Sequence, residues 1–197
     1  MCKSIGSYRI VAGCTDTIPW AREGRAGDVY FKNIIDVSKI KELNYMKFAK
    51  KNIALGAATS FQDIFLNKKI RKNLKILPQI SVWFADDQIR EQATLIGNII
   101  NASPAADGTP SVLVSNGRIE LAALIDKRVH FRSLPVGDFI EGPGKTKLGK
   151  NEIATKIILD KTPGYGGSFQ KVGQRRSLVI SVACCAALVQ LNPLEDN

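Results

Sequence analysis

Apolar residues fall along this chain in short runs closed by turn formers, with few long stripes. Residues 8–12 (Tyr-Arg-Ile-Val-Ala) read as a strand that stops at Gly13, Cys14, Thr15 and Asp16, a cluster of turn and N-cap residues that predicts a loop. Residues 29–37 end in Ile34, Ile35, Asp36 and Val37, and residues 52–57 form another strand closed by a glycine. Ser60 ahead of Phe61, Gln62 and Asp63 predicts a helix start, running into the basic stretch Lys68, Lys69, Arg71, Lys72 and Lys75. Residues 77–89 carry apolar side chains at 77, 80, 82, 83, 84 and 89, the spacing of a helix packed on one side. Residues 92–110 are polar, contain glycine and proline, and predict irregular backbone. From Ser111 the pattern predicts strands: 112–114, then 118–121 after an Asn116-Gly117 hairpin signal, then 136–139, 152–159, 167–172 and 178–191. There is no internal repeat or low-complexity tract. The expected class is α+β, with a small first lobe over residues 1–55 and a larger second lobe over residues 56–197.

Composition narrows the function classes. At 197 residues, 45% hydrophobic and 23% charged, the chain has the make-up of a globular protein able to bury a core without disulfides. The longest apolar run, residues 178–191, is interrupted by Ser181 and Gln190 and is too short to span a bilayer, so no membrane span is expected. The first nine residues lack an apolar signal segment, which makes a reducing cytoplasm the expectation. Cys2, Cys14, Cys184 and Cys185 contain no Cys-x-x-Cys pair, and His130 is the one histidine, so no metal centre is expected on this chain. A net charge of +10 raises nucleic acid as a partner, yet no recognition motif or interleaved aromatics accompany the basic stretch at 68–75.

Several motifs fail on spacing. Glu141-Gly142-Pro143-Gly144-Lys145-Thr146 ends like a phosphate loop, but Phe139 stands where that pattern needs its first glycine, so turn glycines in a β-connection are the better account. Gly164-Tyr165-Gly166-Gly167 likewise fails the dinucleotide fingerprint. His130 lies among Arg128, Phe131 and Arg132 on a surface strand, and Asp86 and Asp87 diverge on a helix surface. No catalytic residue is assigned. Two segments suit an anion. In the first, Ala12, Gly13, Cys14, Thr15 and Asp16 end a strand in a turn whose successive N–H groups and Thr15 hydroxyl can converge on phosphate oxygens. The second, residues 94–107, supplies hydroxyls, amides and the Asp107 carboxylate, a group able to accept from both hydroxyls of a ribose.

Four ordered stretches carry a resemblance. These are Tyr-Arg-Ile-Val-Ala-Gly-Cys-Thr-Asp at 8–16, Ile-Ala-Leu-Gly-Ala-Ala-Thr-Ser-Phe-Gln-Asp-Ile at 53–64, Gln-Ile-Arg-Glu-Gln-Ala-Thr-Leu-Ile-Gly-Asn-Ile at 88–99 with Ala-Ser-Pro-Ala-Ala-Asp at 102–107, and Glu-Gly-Pro-Gly-Lys-Thr at 141–146. Together with residues 169–176 they resemble the FAD-binding subunit of molybdenum hydroxylases, the family of the xanthine dehydrogenase and carbon monoxide dehydrogenase flavoproteins. The resemblance implies a two-lobed PCMH-type FAD-binding fold, here without the family's usual N-terminal strand–helix and C-terminal domain. It implies FAD in the cleft, with electrons passing from iron–sulfur clusters to NAD or another acceptor. It also implies a hetero-oligomer in which molybdopterin and the 2Fe–2S clusters sit on partner subunits. Gly13, Cys14, Thr15 and Asp16 would meet the pyrophosphate and ribityl chain. Thr94, Gly97 and Asn98 would form the second FAD loop, completed by Ser103 and Asp107, with Lys171 near the flavin ring. Cys14 and Ile96 stand where the family has glycines, and a β-branched residue is costly at positive φ. Ile96 and the short termini motivate the alternative, a cofactor-poor structural or remnant subunit of the same complex.

Overall fold

The computed structural model describes residues 8–23, 32–175 and 178–190. Strand β1 (Tyr8–Val11) pairs in parallel with β2 (Asn33–Asp36), Tyr8 opposite Asn33 and Val11 opposite Asp36. A parallel pair needs a crossover, and helix α1 (Thr17–Glu23) lies on it, an element the sequence pattern did not predict. Residues 29–31 of the expected second strand lie outside the described residues. A short 3-10 turn (Lys41–Leu43) then leads into β3 (Met46–Phe48) and β4 (Asn52–Gly56).

Six short helices follow: α2 (Phe61–Leu66), α3 (Lys68–Asn73), α4 (Leu77–Trp83), α5 (Asp87–Gln92), α6 (Leu95–Asn101) and α7 (Gly108–Val114). The chain returns through β5 (Arg118–Ile125), β6 (Arg128–Pro135), helix α8 (Val136–Phe139), a ribbon of β7 (Ile140–Gly142) and β8 (Lys145–Thr146), and β9 (Glu152–Asp160). It ends in a hairpin of β10 (Gly166–Val172) and β11 (Ala183–Val189). Strands β3, β4, β9, β5 and β6, in that order, make one antiparallel sheet. Residues 46–55, assigned from sequence to the first lobe, are therefore part of this sheet.

Period-2 burial explains which face the helices cover. Ile53 and Leu55 on β4 are fully buried and stand opposite Leu159 and Ile157 on β9, while Ile119 on β5 pairs with Ile157 from the other side. Onto this face pack Phe61, Ile64, Ile70, Leu77, Ile80, Leu95 and Ile99 from the helices, giving one continuous core.

The helices are shorter and more numerous than the apolar spacing predicts, because polar caps interrupt them. The capping box is as expected: Ser60 Oγ accepts from Asp63 N at 3.0 Å, and the Asp63 carboxylate accepts from Ser60 N at 3.1 Å. The helix does not run on through the basic stretch, since Asn67 Oδ1 accepts from Lys69 N and Ile70 N and starts a new one. The helix expected over 77–89 splits at Ala85, whose φ is 50°, and Asp86 caps the next segment through Ile89 N. Residues 92–110, expected irregular, hold α6 and the start of α7. Their apolar Leu95, Ile96 and Ile99 are buried on one helical face amid threonine, asparagine and serine. Residues 112–114 and 136–139, expected as strands, belong to α7 and α8. Asn116 and Gly117 end α7 and make no hairpin: Asn116 has φ 49°, and a Cβ on Gly117 would meet Val112 Cγ1 at 2.2 Å. The 141–146 segment is the expected β-connection, with Gly144 at φ 66°. Of residues 178–191, Ala183–Val189 form a strand and Leu191 lies outside the described residues.

Two predictions follow from this core. Phe61 is fully buried and stacked on Phe84 with ring centroids 4.0 Å apart, so Phe61→Ala should cost about 3–5 kcal/mol in urea unfolding. Across β5, Arg132 on β6 grips Glu152 on β9 through bonds of 2.6 and 2.7 Å, and Gly149 N adds a third at 2.7 Å. The Arg132 guanidinium, opposed by partial burial and helped by Gly149 N, holds the Glu152 carboxyl below its ordinary value. A carboxyl lowered on folding stabilises above its unfolded pKa of about 4.3, and that stability is lost as pH falls through the folded value. Stability measured against pH should therefore fall less steeply below about pH 4.3 in Glu152→Gln than in the wild type.

Candidate functional site

The first anion-suited segment closes β1. Cys14 takes φ 57°, the left-handed conformation that favours glycine, so the backbone turns sharply there in spite of the side chain. Ile18 N then donates to Cys14 O at 3.2 Å and Trp20 N to Asp16 O at 3.1 Å, which starts α1. Burial, then the Asp36 carboxylate, raise the Cys14 thiol above its ordinary value, and desolvation raises the Asp16 carboxyl.

The loop is pressed onto the chain entering the second segment. A Cβ built on Gly13 would stand 2.0 Å from Gln92 O and 3.1 Å from Ala93 Cα, so only glycine permits this approach. Asn101 Nδ2 donates to Asp16 Oδ2 at 2.9 Å, joining residues 85 apart. Ala12, Gly13 and Thr94 share a groove of about 260 Å³ with Ser38, Ser60 and Gln92 among its other walls.

In the second segment, Thr94 caps α6 by accepting from Gly97 N at 3.0 Å, and a Cβ on Gly97 would crowd that hydroxyl at 2.8 Å. Asn98 Oδ1 accepts from Gly108 N at 3.1 Å, tying α6 to the start of α7, and Ser103 Oγ accepts from Ala105 N at 3.2 Å. Ile96 is helical and 3% exposed, with no positive φ. Position 96 therefore does not need a glycine for its backbone, and its side chain points into the core.

Asp107 and Lys171, 64 residues apart, form a buried ion pair at 2.6 Å with side chains 5% and 4% exposed. Ser181 Oγ donates to the other Asp107 oxygen at 2.6 Å. This joins the N-cap residue of α7 to β10 and to the segment leading into β11, and both carboxylate oxygens already hold a protein donor. Burial first, then Asp107, raise the thiol of the neighbouring Cys184. Asp107 and Lys171 are thus brought together, while Gly13 meets Gln92 and Asp16 meets Asn101.

The residues present fit an anionic dinucleotide in their chemistry. The first loop offers turned backbone N–H groups and the Thr15 hydroxyl, and Thr109 Oγ1 beside Asp107 is buried without a hydrogen-bond partner. Sequence reasoning missed Gln92, Asn101 and Ser181. Ser181 carries no local signal, since its partner is 74 residues away. Asn101 stood within the second segment, but nothing in that segment singles out one asparagine. Among the described residues no group of three or more histidine, cysteine, aspartate or glutamate side chains could hold a metal, and no helix is long and apolar enough to cross a membrane.

The fold has a close counterpart among solved structures. Across 98% of this chain and 65% of the other, it superposes on a chain of carbon monoxide dehydrogenase from Hydrogenophaga pseudoflava with a TM-score of 0.88 at 22% identity. Residues 1–161 match the family described as FAD binding domain in molybdopterin dehydrogenase, and the chain belongs to that family. It is 30% identical to the glyceraldehyde dehydrogenase medium chain of Sulfolobus acidocaldarius over 83% of this chain and 57% of that protein. It is 28% identical to the xanthine dehydrogenase FAD-binding subunit of Escherichia coli over 93% of this chain and 62% of that protein. The chain thus spans about three fifths of the length of these relatives.

The buried pair sets a test of its own. Lys171→Met should cost about 3–5 kcal/mol in urea unfolding, because it strands the Asp107 charge. Adding Asp107→Leu should recover most of that loss.

Proposed function

We propose that this chain is the FAD-carrying component of a molybdenum hydroxylase of the xanthine dehydrogenase type, working with a molybdenum-cofactor subunit and a 2Fe–2S subunit in the cytoplasm. The observation that carries the reading is the seating of the Gly13–Asp16 loop on the residues that lead into α6, which puts the two anion-suited segments side by side. Family membership and the relatives named as medium chain or FAD-binding subunit support it.

Bound FAD would accept electrons from clusters on a partner and deliver them to NAD or another acceptor. This chain's part is to bind and orient. Residues 12–16, with the Thr15 hydroxyl, would take the diphosphate, and Thr94, Gly97 and Asn98 would shape the facing wall. Lys171 is neutralised by Asp107, so its field on a flavin ring would be that of a dipole; we assign the pair, with Ser181, to holding the β10–β11 hairpin in place. We place the boundary between the lobes in residues 37–45, ahead of β3. The alternative of a cofactor-poor subunit is motivated by Ile96 and the short termini; a buried helical Ile96 without positive φ speaks against the first of these grounds.

The test is composition. The complex isolated with its native partners should contain about one flavin per copy of this chain, together with iron and molybdenum. After removal of flavin it should rebind FAD with a Kd below about 10 µM, roughly 7 kcal/mol. A complex that contains iron and molybdenum but no flavin, and that does not bind added FAD, overturns the reading.

A further inference from the structure

Tyr8 and Asp16 tie the first lobe to the second at the two ends of the β1 segment. Tyr8 Oη donates to Lys150 O at 2.8 Å at the beginning of β1, and Asn101 Nδ2 donates to Asp16 Oδ2 at 2.9 Å beyond its end. Between them the Gly13 backbone lies against Gln92, a contact that holds the two segments in register by shape alone. Past Gly13 the loop carries Cys14 in a left-handed conformation, which costs an L-residue about 1–2 kcal/mol and favours relaxation unless something downstream holds the turn. Asp16 is the next side chain with a partner in the second lobe, and that partner is Asn101.

Asn101 is placed for this by the end of its helix. It is the last residue of α6, and Ala102 at φ 47° turns the chain away immediately afterwards. Gly144 N donates to Ala102 O at 2.9 Å, fixing that exit from the other side. The amide is therefore presented by a backbone anchored both by the Thr94 cap at the start of α6 and by the β7–β8 turn at its end. A side-chain amide can supply the N–H donor that the Asp16 carboxylate accepts from.

We infer that Asn101 is a positioning residue: it latches Asp16 to the end of α6 and so holds the Cys14–Thr15 turn in the conformation that receives the cofactor's diphosphate. This rests on the FAD reading above. Asn101 itself touches neither the flavin nor the reacting atoms in this scheme; it acts through Asp16.

The experiment uses the deflavinated complex and reads FAD affinity by flavin fluorescence, alongside backbone hydrogen exchange, without FAD, of Ile18 and Trp20, whose N–H groups donate to Cys14 O and Asp16 O of the loop. Asn101→Ala should weaken FAD about tenfold, accelerate exchange at Ile18 and Trp20, and move the melting temperature by less than about 2 °C, as expected for loss of one exposed hydrogen bond. Asn101→Asp should be worse, because it sets two carboxyls face to face. Combining it with Asp16→Asn restores a donor and an acceptor in swapped order, and should recover most of the slow exchange and part of the affinity. An Asn101→Ala complex with wild-type FAD affinity and wild-type exchange overturns the latch, as does a double variant no better than Asn101→Asp. If the wild-type complex itself takes no FAD, the functional reading fails, and the exchange data alone decide whether the latch exists.

Discussion

The Gly13 backbone lies so close to Gln92 O that a Cβ on residue 13 would reach to 2.0 Å of that oxygen. This close approach is the constraint on which the candidate site depends. It sets the distance between a two-stranded parallel lobe and a lobe built on an antiparallel sheet, and no side-chain interaction could bring two backbones so near. The neighbouring residue takes up the geometric consequence: once Gly13 is seated, the chain must turn sharply to enter α1, and Cys14 does so at φ 57°. A glycine there would have turned without strain. The cysteine accepts the strain and places a half-buried thiol, raised by burial and by Asp36, beside the loop.

The second wall depends on a different device. Six consecutive short helices wrap one face of the sheet, and their lengths follow from polar caps more than from propensity. Asn67 and Asp86 each accept from a backbone N–H of a new first turn, and the breaks they create let buried residues such as Ile70, Ile80 and Ile99 approach the sheet from separate directions. One long amphipathic helix would present a single straight stripe. A chain broken every six or seven residues can follow the twist of five strands. The cap at Thr94 belongs to this series, so a hydroxyl proposed to face the cofactor also starts the helix that carries Asn98 and Asn101.

Much of this was legible in the sequence, and the gaps have a common cause. The strands at 8–11, 52–56, 152–160 and 166–172, the Ser60 cap and the turn character of 141–146 all rest on local patterns that tertiary structure did not need to override. Residues 112–114 and 136–139 went the other way. Val-Leu-Val and Val-Gly-Asp-Phe have strand-like composition, but each lies next to a turn that buries Val112, Val136 and Phe139 on a helical face against the sheet. The Asn116-Gly117 pair marks a tight turn in either reading; what it joins is decided by Val112, which fills the space a Cβ on Gly117 would need. At the candidate site, the motif residues could be named from sequence, whereas their partners could not. Gln92, Asn101 and Ser181 act across 74 to 85 residues or by backbone contact alone, and no periodicity or spacing encodes that.

The buried Lys171–Asp107 pair shows the same separation of motif from partner, and its energetics argue for what it does. Two desolvated charges 2.6 Å apart gain strong attraction, but removing both from water costs several kcal/mol per ion, so such a pair adds little net stability compared with apolar residues of similar size. Its effect is selective. Any slip of the β10–β11 register that moved Lys171 or Ser181 away from Asp107 would leave a buried carboxylate short of donors, a cost far above that of a slipped apolar contact. The hairpin therefore has one acceptable position on α7. Since Asn98 links the start of α7 back to α6, that position is transmitted to the helix that also carries Thr94 and Asn101. The two segments suited to an anion are thus held by one chain of contacts that runs from the C-terminal hairpin, through α7 and α6, to the loop at Gly13.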